Sequence, residues 1–145
     1  MYCNKNSYRL NSAKFSISLH ILTLLASSGG ELLTSEFLAS GININPVLVR
    51  KELANLRKFG FIESKEGKNG GSYLAKPATQ IQLSEVYKAV RQSSLLGQLN
   101  NQPNPNCPIG RQINQHLNDL FDEAELAMLS RLGEITLADF LNKFN

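Results

Sequence analysis

The sequence contains no tryptophan and only two cysteines, Cys3 and Cys107. Two thiols are too few for a disulfide framework. No apolar run reaches the ~18–20 residues that a membrane span needs, so no membrane partner is expected. Met1 to Asn6 offers no apolar signal-peptide core, and a cytoplasmic protein is expected. Catalytic motifs are missing as well. There is no Walker-type phosphate loop, no HExxH, no nucleophile elbow and no paired Cys/His motif. Cys107 as nucleophile with His116 as base would sit on one helix end with nothing to form an oxyanion site. An enzyme is not expected.

What is present is enough apolar residue for a core. The chain has 145 residues and is 42% hydrophobic, which argues against disorder and fits one domain, or one domain with an oligomerisation arm. The net charge of +3 is unevenly spread. Residues 50–76 carry seven Lys/Arg against three Glu, a net of +4, whereas residues 111–145 carry three Lys/Arg against six Asp/Glu, a net of −3. A basic middle and an acidic C-terminal end suit a nucleic-acid face at one place and a different contact at the other.

The basic middle is organised by residues 45–74. Asn45 is placed to cap a helix, its side-chain oxygen accepting an orphan N–H of the first turn. Pro46 suits the first helical position, which needs no N–H. Gly60 stands where a helix end favours positive φ. At 100° per residue Val49, Leu53 and Leu56 share one face. Val47, Lys51, Ala54 and Lys58 lie opposite, with Arg50 and Arg57 on one flank and Asn55 on the other. Such an outer face supplies cations for phosphates, short side chains for close approach and an amide for a base edge. The bland alternative is a solvated surface helix. Phe61 to Lys65, the turn through Gly67, Lys68, Asn69, Gly70 and Gly71, and Ser72 to Leu74 then form a hairpin, with Gly70 and Gly71 permitting the tight turn.

Upstream, Ala13, Ile17, Ile21, Leu22, Leu24 and Leu25 predict a helix over about 12–26. Thr34 caps a short helix with Phe37 and Leu38 turned inward, and Gly41 breaks it. Two short helices, the second capped and basic, make a helix-turn-helix, and the hairpin makes it winged. Residues 84–94 read as helix through Val86, Tyr87 and Val90. Residues 93–110, with Gly97, Pro103, Pro105 and Pro108, read as a linker. A long helix is expected from about 108–111 to Leu132. Ile113, Leu117, Leu120, Ala124 and Ala127 form one apolar stripe; Phe121, Met128 and Leu132 form a second. So wide an apolar arc predicts packing against both its own domain and a second copy. Gly133 stops it, and Thr136 caps a last helix over 137–144.

The expected fold is therefore mainly α with a small β-hairpin (α+β). A winged helix-turn-helix domain occupies 10–92, a linker 93–110, and a dimerisation helix with a short terminal helix 111–145. His20 is expected to be a hydrogen-bonded core histidine, and His116 exposed or interfacial. Cys107, just before Pro108, stands at the expected positive end of the long helix, which favours a thiolate. It is a candidate redox thiol; the alternative is a cysteine that packs where the loop enters the helix.

The text from Phe15 to Leu25, Asn45 to Leu56, Gly60 to Ser64, the wing glycines to Leu74, and Ile81 to Val90 resembles the Rrf-two family of bacterial winged-helix transcription regulators. This family includes the iron–sulfur cluster regulator, the nitric-oxide-sensitive repressor and the cysteine-metabolism repressor. Leu19 to Leu22 and Asn45 to Val47 are similar to its YwnA-like branch. The resemblance implies a homodimer built on the long helix (Ile113, Leu117, Leu120, Phe121, Ala124, Met128), binding double-stranded DNA at a palindromic operator as a regulator, expected to be a repressor. Carried onto this chain, the recognition helix is Pro46–Lys58, with Asn45, Pro46, Val47, Arg50, Lys51, Asn55 and Lys58 toward DNA. The wing contributes Lys65, Lys68, Gly70, Gly71 and Tyr73. Where the family places Arg before its first wing glycine, this chain has Glu66, so Lys65 or Lys68 takes the phosphate contact. Cluster-binding members need three cysteines and a further ligand in a region where this chain has Cys107 alone, so no iron–sulfur cofactor is expected. The other readings are a winged-helix protein-interaction module without DNA binding and a redox-sensing regulator using Cys107. Neither operator nor effector is named by the residues.

Overall fold

A computed structural model describes residues 13–92, 95–97, 99 and 101–144. The N-terminal residues 1–10, with Cys3, lie outside the described residues. The elements are α1 (Lys14–Ser27), α2 (Ser35–Ile42), α3 (Pro46–Lys58), β1 (Ile62–Lys65), β2 (Gly71–Leu74), a 3-10 turn (Ala78–Gln80), α4 (Leu83–Val90), α5 (Ile113–Gly133) and α6 (Leu137–Leu141). The helix-turn-helix, the hairpin and the long helix are all present, although α2 ends later and the long helix starts later than the residues suggest.

The hub is α1. Its Ile21, Leu22 and Leu25 are buried, and it touches α2, α3, α4, α6 and β2. Leu38 of α2, Val49, Leu53 and Leu56 of α3, Ile62 of β1 and Val86 of α4 close around it. Leu137 of α6 is fully buried in the same core, so the terminal helix packs into the winged unit. Backbone bonds fix it there: Leu137 N–H donates to Ile81 O at 2.8 Å and Leu83 N–H to Ile135 O at 3.0 Å. Thr136 and Asp139 cap α6 reciprocally. The hydrogen bonds that Asp139 makes with the backbone and side chain of Thr136 hold its carboxyl below its ordinary pKa.

Three local expectations need correction. Gly41 does not end α2: the helix runs through it to Ile42 and stops at Asn43, whose φ of 63° reverses the chain. Asparagine tolerates that left-handed conformation better than most residues. Phe37 is 57% exposed, because the cap on Thr34 sets a phase in which Leu38 and Ala39 point inward. His20 is not a core histidine. It is exposed, at an apolar groove between α1 and α6 that includes Leu19, Leu24, Phe140 and Phe144.

Two features of the core are absent from the apolar pattern. Glu52 lies on the inner face of α3 and is 6% exposed. Its carboxylate accepts from the buried Ser18 hydroxyl at 3.2 Å, with the Lys14 ammonium at 4.0 Å. The second feature is a backbone bridge that adds Leu33 to the free edge of β2. Leu33 N–H donates to Ser72 O at 3.1 Å and Ser72 N–H to Leu33 O at 2.8 Å. A Cβ on Gly71 would stand 2.8 Å from the Leu33 carbonyl oxygen. Gly71 is thus required by this close approach and not only by the hairpin turn.

Both features yield measurable consequences. Ser18→Ala leaves a buried carboxylate short of a donor and should cost about 1–3 kcal/mol in urea unfolding. Glu52→Leu removes the charge along with its need for a partner and should cost less than Ser18→Ala. The reverse order would contradict this view of the pair. Gly71→Val should push Leu33 off the sheet edge and destabilise by more than ~1 kcal/mol; an unchanged denaturation midpoint would show that the edge has room.

Candidate nucleic-acid interface

The cap on α3 forms as its residues dictate. Val47 N–H donates to Asn45 Oδ1 at 2.9 Å, and Pro46 takes the first helical position. Burial of Val49, Leu53 and Leu56 fixes the rotation of the helix. Val47, 60% exposed, then faces outward together with Arg50, Lys51, Ala54 and Lys58. The helix ends at Phe59, and Gly60 follows with φ of 80°.

Asn55 is a correction to the outward set. Its side-chain amide donates to Ala89 O of α4 at 3.4 Å, and the residue is half-buried. That amide links α3 to α4. Lys58 lies at the C-terminal end, its ammonium 5.9 Å from the centre of the Phe59 ring. Among the expected helix residues, the N-terminal half therefore holds the most compact outward group: Val47, Arg50 and Lys51.

Arg50 is not solitary. Its guanidinium donates to Glu36 Oε1 on α2 at 3.3 Å. Glu36 reads in the sequence only as an acidic residue in the positive first turn of α2, and fourteen positions of separation leave no periodic trace of the pairing. Arg57 is a second residue whose role the sequence does not reveal. It donates to Ser64 Oγ at 2.8 Å, and Ser64 and Ser72 share a hydroxyl hydrogen bond at 3.0 Å. A polar chain thereby runs from the end of α3 across both wing strands, and the bridge at Leu33 continues it to the segment before α2.

The wing is antiparallel, pairing Ile62 with Leu74, Glu63 with Tyr73, Ser64 with Ser72 and Lys65 with Gly71. Its tip turns through Gly67 at φ 90° and Asn69 at φ 65°, closed by Gly70 N–H donating to Gly67 O at 3.0 Å. A Cβ on Gly70 would run into the Lys65 carbonyl oxygen. Lys65 and Lys68 are exposed at this tip. Tyr73 is committed within the wing: its hydroxyl donates to Glu63 Oε2 at 2.6 Å. That hydrogen bond, with the adjacent negative charge, raises the phenol above its ordinary pKa. Loss of the phenol proton, and with it of this bond, is thereby deferred to higher pH.

Cys107 is a free, exposed thiol. The long helix begins only at Ile113, so its positive end is not beside the thiol, contrary to the expectation. On α5 no described residue is buried. Ile113, Leu117, Phe121, Ala124 and Met128 are half-covered, and Leu120 is 55% exposed. The helix packs chiefly on α4, where Arg91 donates to Glu125. One side of the apolar arc thus meets its own domain, and the other is open among the described residues.

Comparison with known proteins agrees with this architecture. The chain matches the Rrf2 family, described as an iron-dependent transcriptional regulator, over residues 11–143. It is 34% identical over 131 residues to YwnA of Bacillus subtilis (strain 168), which is named as an HTH-type transcriptional regulator; the match covers 90% of this chain and 96% of YwnA. The structure of CymR, the global cysteine regulator of B. subtilis, superposes with a TM-score of 0.68 at 18% identity, covering 91% of this chain and 95% of that one. IscR of T. potens superposes with a TM-score of 0.67 at 19% identity, covering 91% and 85%. These two show a common fold. A capped basic helix beside a lysine-tipped wing, with a family match spanning nearly the whole chain, places this protein among the Rrf2-family DNA-binding transcription regulators and not among enzymes.

Proposed function

We propose that the protein is a cytoplasmic homodimeric repressor that reads a palindromic operator with the N-terminal half of α3 and holds the DNA backbone with the wing. The observation that carries this reading is the outward exposure of Val47, Arg50 and Lys51 on the helix and of Lys65 and Lys68 on the wing. A helix presented by its N-terminal half suits the major groove. Exposed lysines at a narrow tip suit phosphates, which are bound without regard to sequence. The open side of α5 supports the dimer, since an apolar row on an otherwise acidic helix has reason to meet its own copy.

The family description mentions iron, and the donor set here does not suit a cluster. Such clusters take four protein ligands, mostly thiolates. The sequence holds two cysteines in all. Among the described residues, no three His, Cys, Asp or Glu side chains gather to hold a metal ion. The proposed mechanism therefore runs without a bound iron–sulfur cluster. No step is assigned to Cys107.

Two outcomes are expected. Arg50→Ala should cost ~1–3 kcal/mol of discrimination at one symmetric pair of base positions. Lys65→Ala and Lys68→Ala should lower affinity for every duplex and flatten the salt dependence by about one unit for each phosphate left without its cation. Titration of single-base operator variants at two salt concentrations measures both. Uniform weakening for Arg50→Ala, with altered base preference for Lys68→Ala, would reverse the assignment of helix and wing.

Assembly gives an independent check. Leu120 is exposed in one protomer, so Leu120→Asp should leave folding intact. Buried in a dimer seam, the carboxylate would cost several kcal/mol. Sedimentation should find the wild type dimeric and the variant monomeric. A wild-type monomer that binds DNA at micromolar concentration would exclude the dimer.

A further inference from the structure

Glu36 stands close to the proposed DNA-reading surface and carries the charge least suited to it. It lies in the first turn of α2, where the helix dipole favours an anion. One carboxylate oxygen accepts from Ser35 Oγ at 3.2 Å and the other from the Arg50 guanidinium at 3.3 Å. The backbone at its base is fixed by Thr34, which accepts the Phe37 N–H at 3.1 Å. The carboxylate is therefore held from two sides on a capped turn.

Its value to the fold is small. The Arg50 and Glu36 side chains are 54% and 69% exposed, and exposed ion pairs contribute little to stability because water and salt screen them. The consequence lies instead in what Arg50 can do. A free arginine on a recognition helix samples many rotamers and attaches to any phosphate in reach. Tethered at one nitrogen, the guanidinium is confined to one region of the surface, with other donors left for a base edge. Confinement before binding reduces the ordering that binding requires. The carboxylate also repels phosphates, so a duplex that offers Arg50 only backbone is penalised.

We infer that Glu36 is a positioning residue for sequence recognition: it orients Arg50 toward a guanine edge and opposes non-specific binding through the same arginine. The inference rests on the proposed role of Arg50 in base reading. It predicts an unusual result, in which removal of one negative charge strengthens binding to the wrong DNA while weakening discrimination. A residue that served only to stabilise α2 would change affinity for all sequences alike.

The test begins with duplexes that the wild-type protein selects from a randomised pool, with unselected pool duplex as the non-specific probe. Affinities of wild type, Glu36→Gln, Arg50→Ala and the double variant are measured by fluorescence anisotropy at two salt concentrations. Single-base changes in the selected duplex are included. Glu36→Gln should bind the unselected duplex roughly two- to fivefold more tightly, the range that an exposed charge pair commands. Discrimination should narrow by a similar factor at the position read by Arg50 and stay unchanged elsewhere. In the Arg50→Ala background the same substitution should leave discrimination unaltered. A uniform shift for every duplex, or an equal effect with and without Arg50, would overturn the inference while leaving DNA binding intact. Failure of the wild type to enrich any duplex would overturn the DNA reading and this inference together.

Discussion

The architecture depends on one contact, the burial of Val49, Leu53 and Leu56 of α3 against α1. Those three side chains set the rotation of the helix about its axis. Rotation decides which residues face outward, and a helix that turned by one residue would move each side chain by about 100°. Val47, Arg50 and Lys51 are outward because their neighbours are inward. Glu52 is part of the same constraint: in this rotation its carboxylate accepts from the buried Ser18 hydroxyl. An apolar side chain there would pack in several nearby rotations, whereas a buried carboxylate demands its partner.

A second constraint joins helix and wing. Arg57 bonds Ser64, Ser64 bonds Ser72, and the Ser72 backbone bridges Leu33. The hairpin is too short for independent stability as two isolated strands; burial of Phe61 and Ile62 in the core anchors its base, and these side-chain and edge contacts add to that anchor. Lys65 and Lys68 are thereby presented at a fixed distance from Arg50. DNA recognition of this kind needs that rigidity, because phosphate contacts set the register in which the base contacts are made.

Much of this is legible in the residues, and the reasons differ by element. The cap at Asn45, the stop at Gly60 and the apolar face of α3 are local signals, governed by neighbours within four positions, and the structure repeats them. The bounds of α3 and of the wing follow for the same reason, whereas α2 runs through Gly41 and stops at Asn43. Local signals fail where a distant partner decides. Asn55 lies on the flank of the helix wheel, yet Ala89 claims its amide. Glu52 stands at the edge of the apolar face of the wheel, and only the distant Ser18 and Lys14 supply the partners that let a carboxylate be buried there. Gly71 reads as a turn glycine, and the approach of Leu33 gives it a second reason. Hydrophobic neighbours alone suggest that Phe37 and His20 turn inward, and the actual phases of α2 and α1 expose both.

The central claim is that α3 and the wing tip form one DNA-facing surface, held by the core and by the Arg57–Ser64–Ser72 chain. Hydrogen exchange read by mass spectrometry, with and without a bound duplex, tests it most directly. Added duplex should slow exchange in two separate segments, residues 45–51 and 65–71, within the same titration and with the same midpoint. Protection confined to α5, or protection of one segment without the other at saturation, would contradict the account.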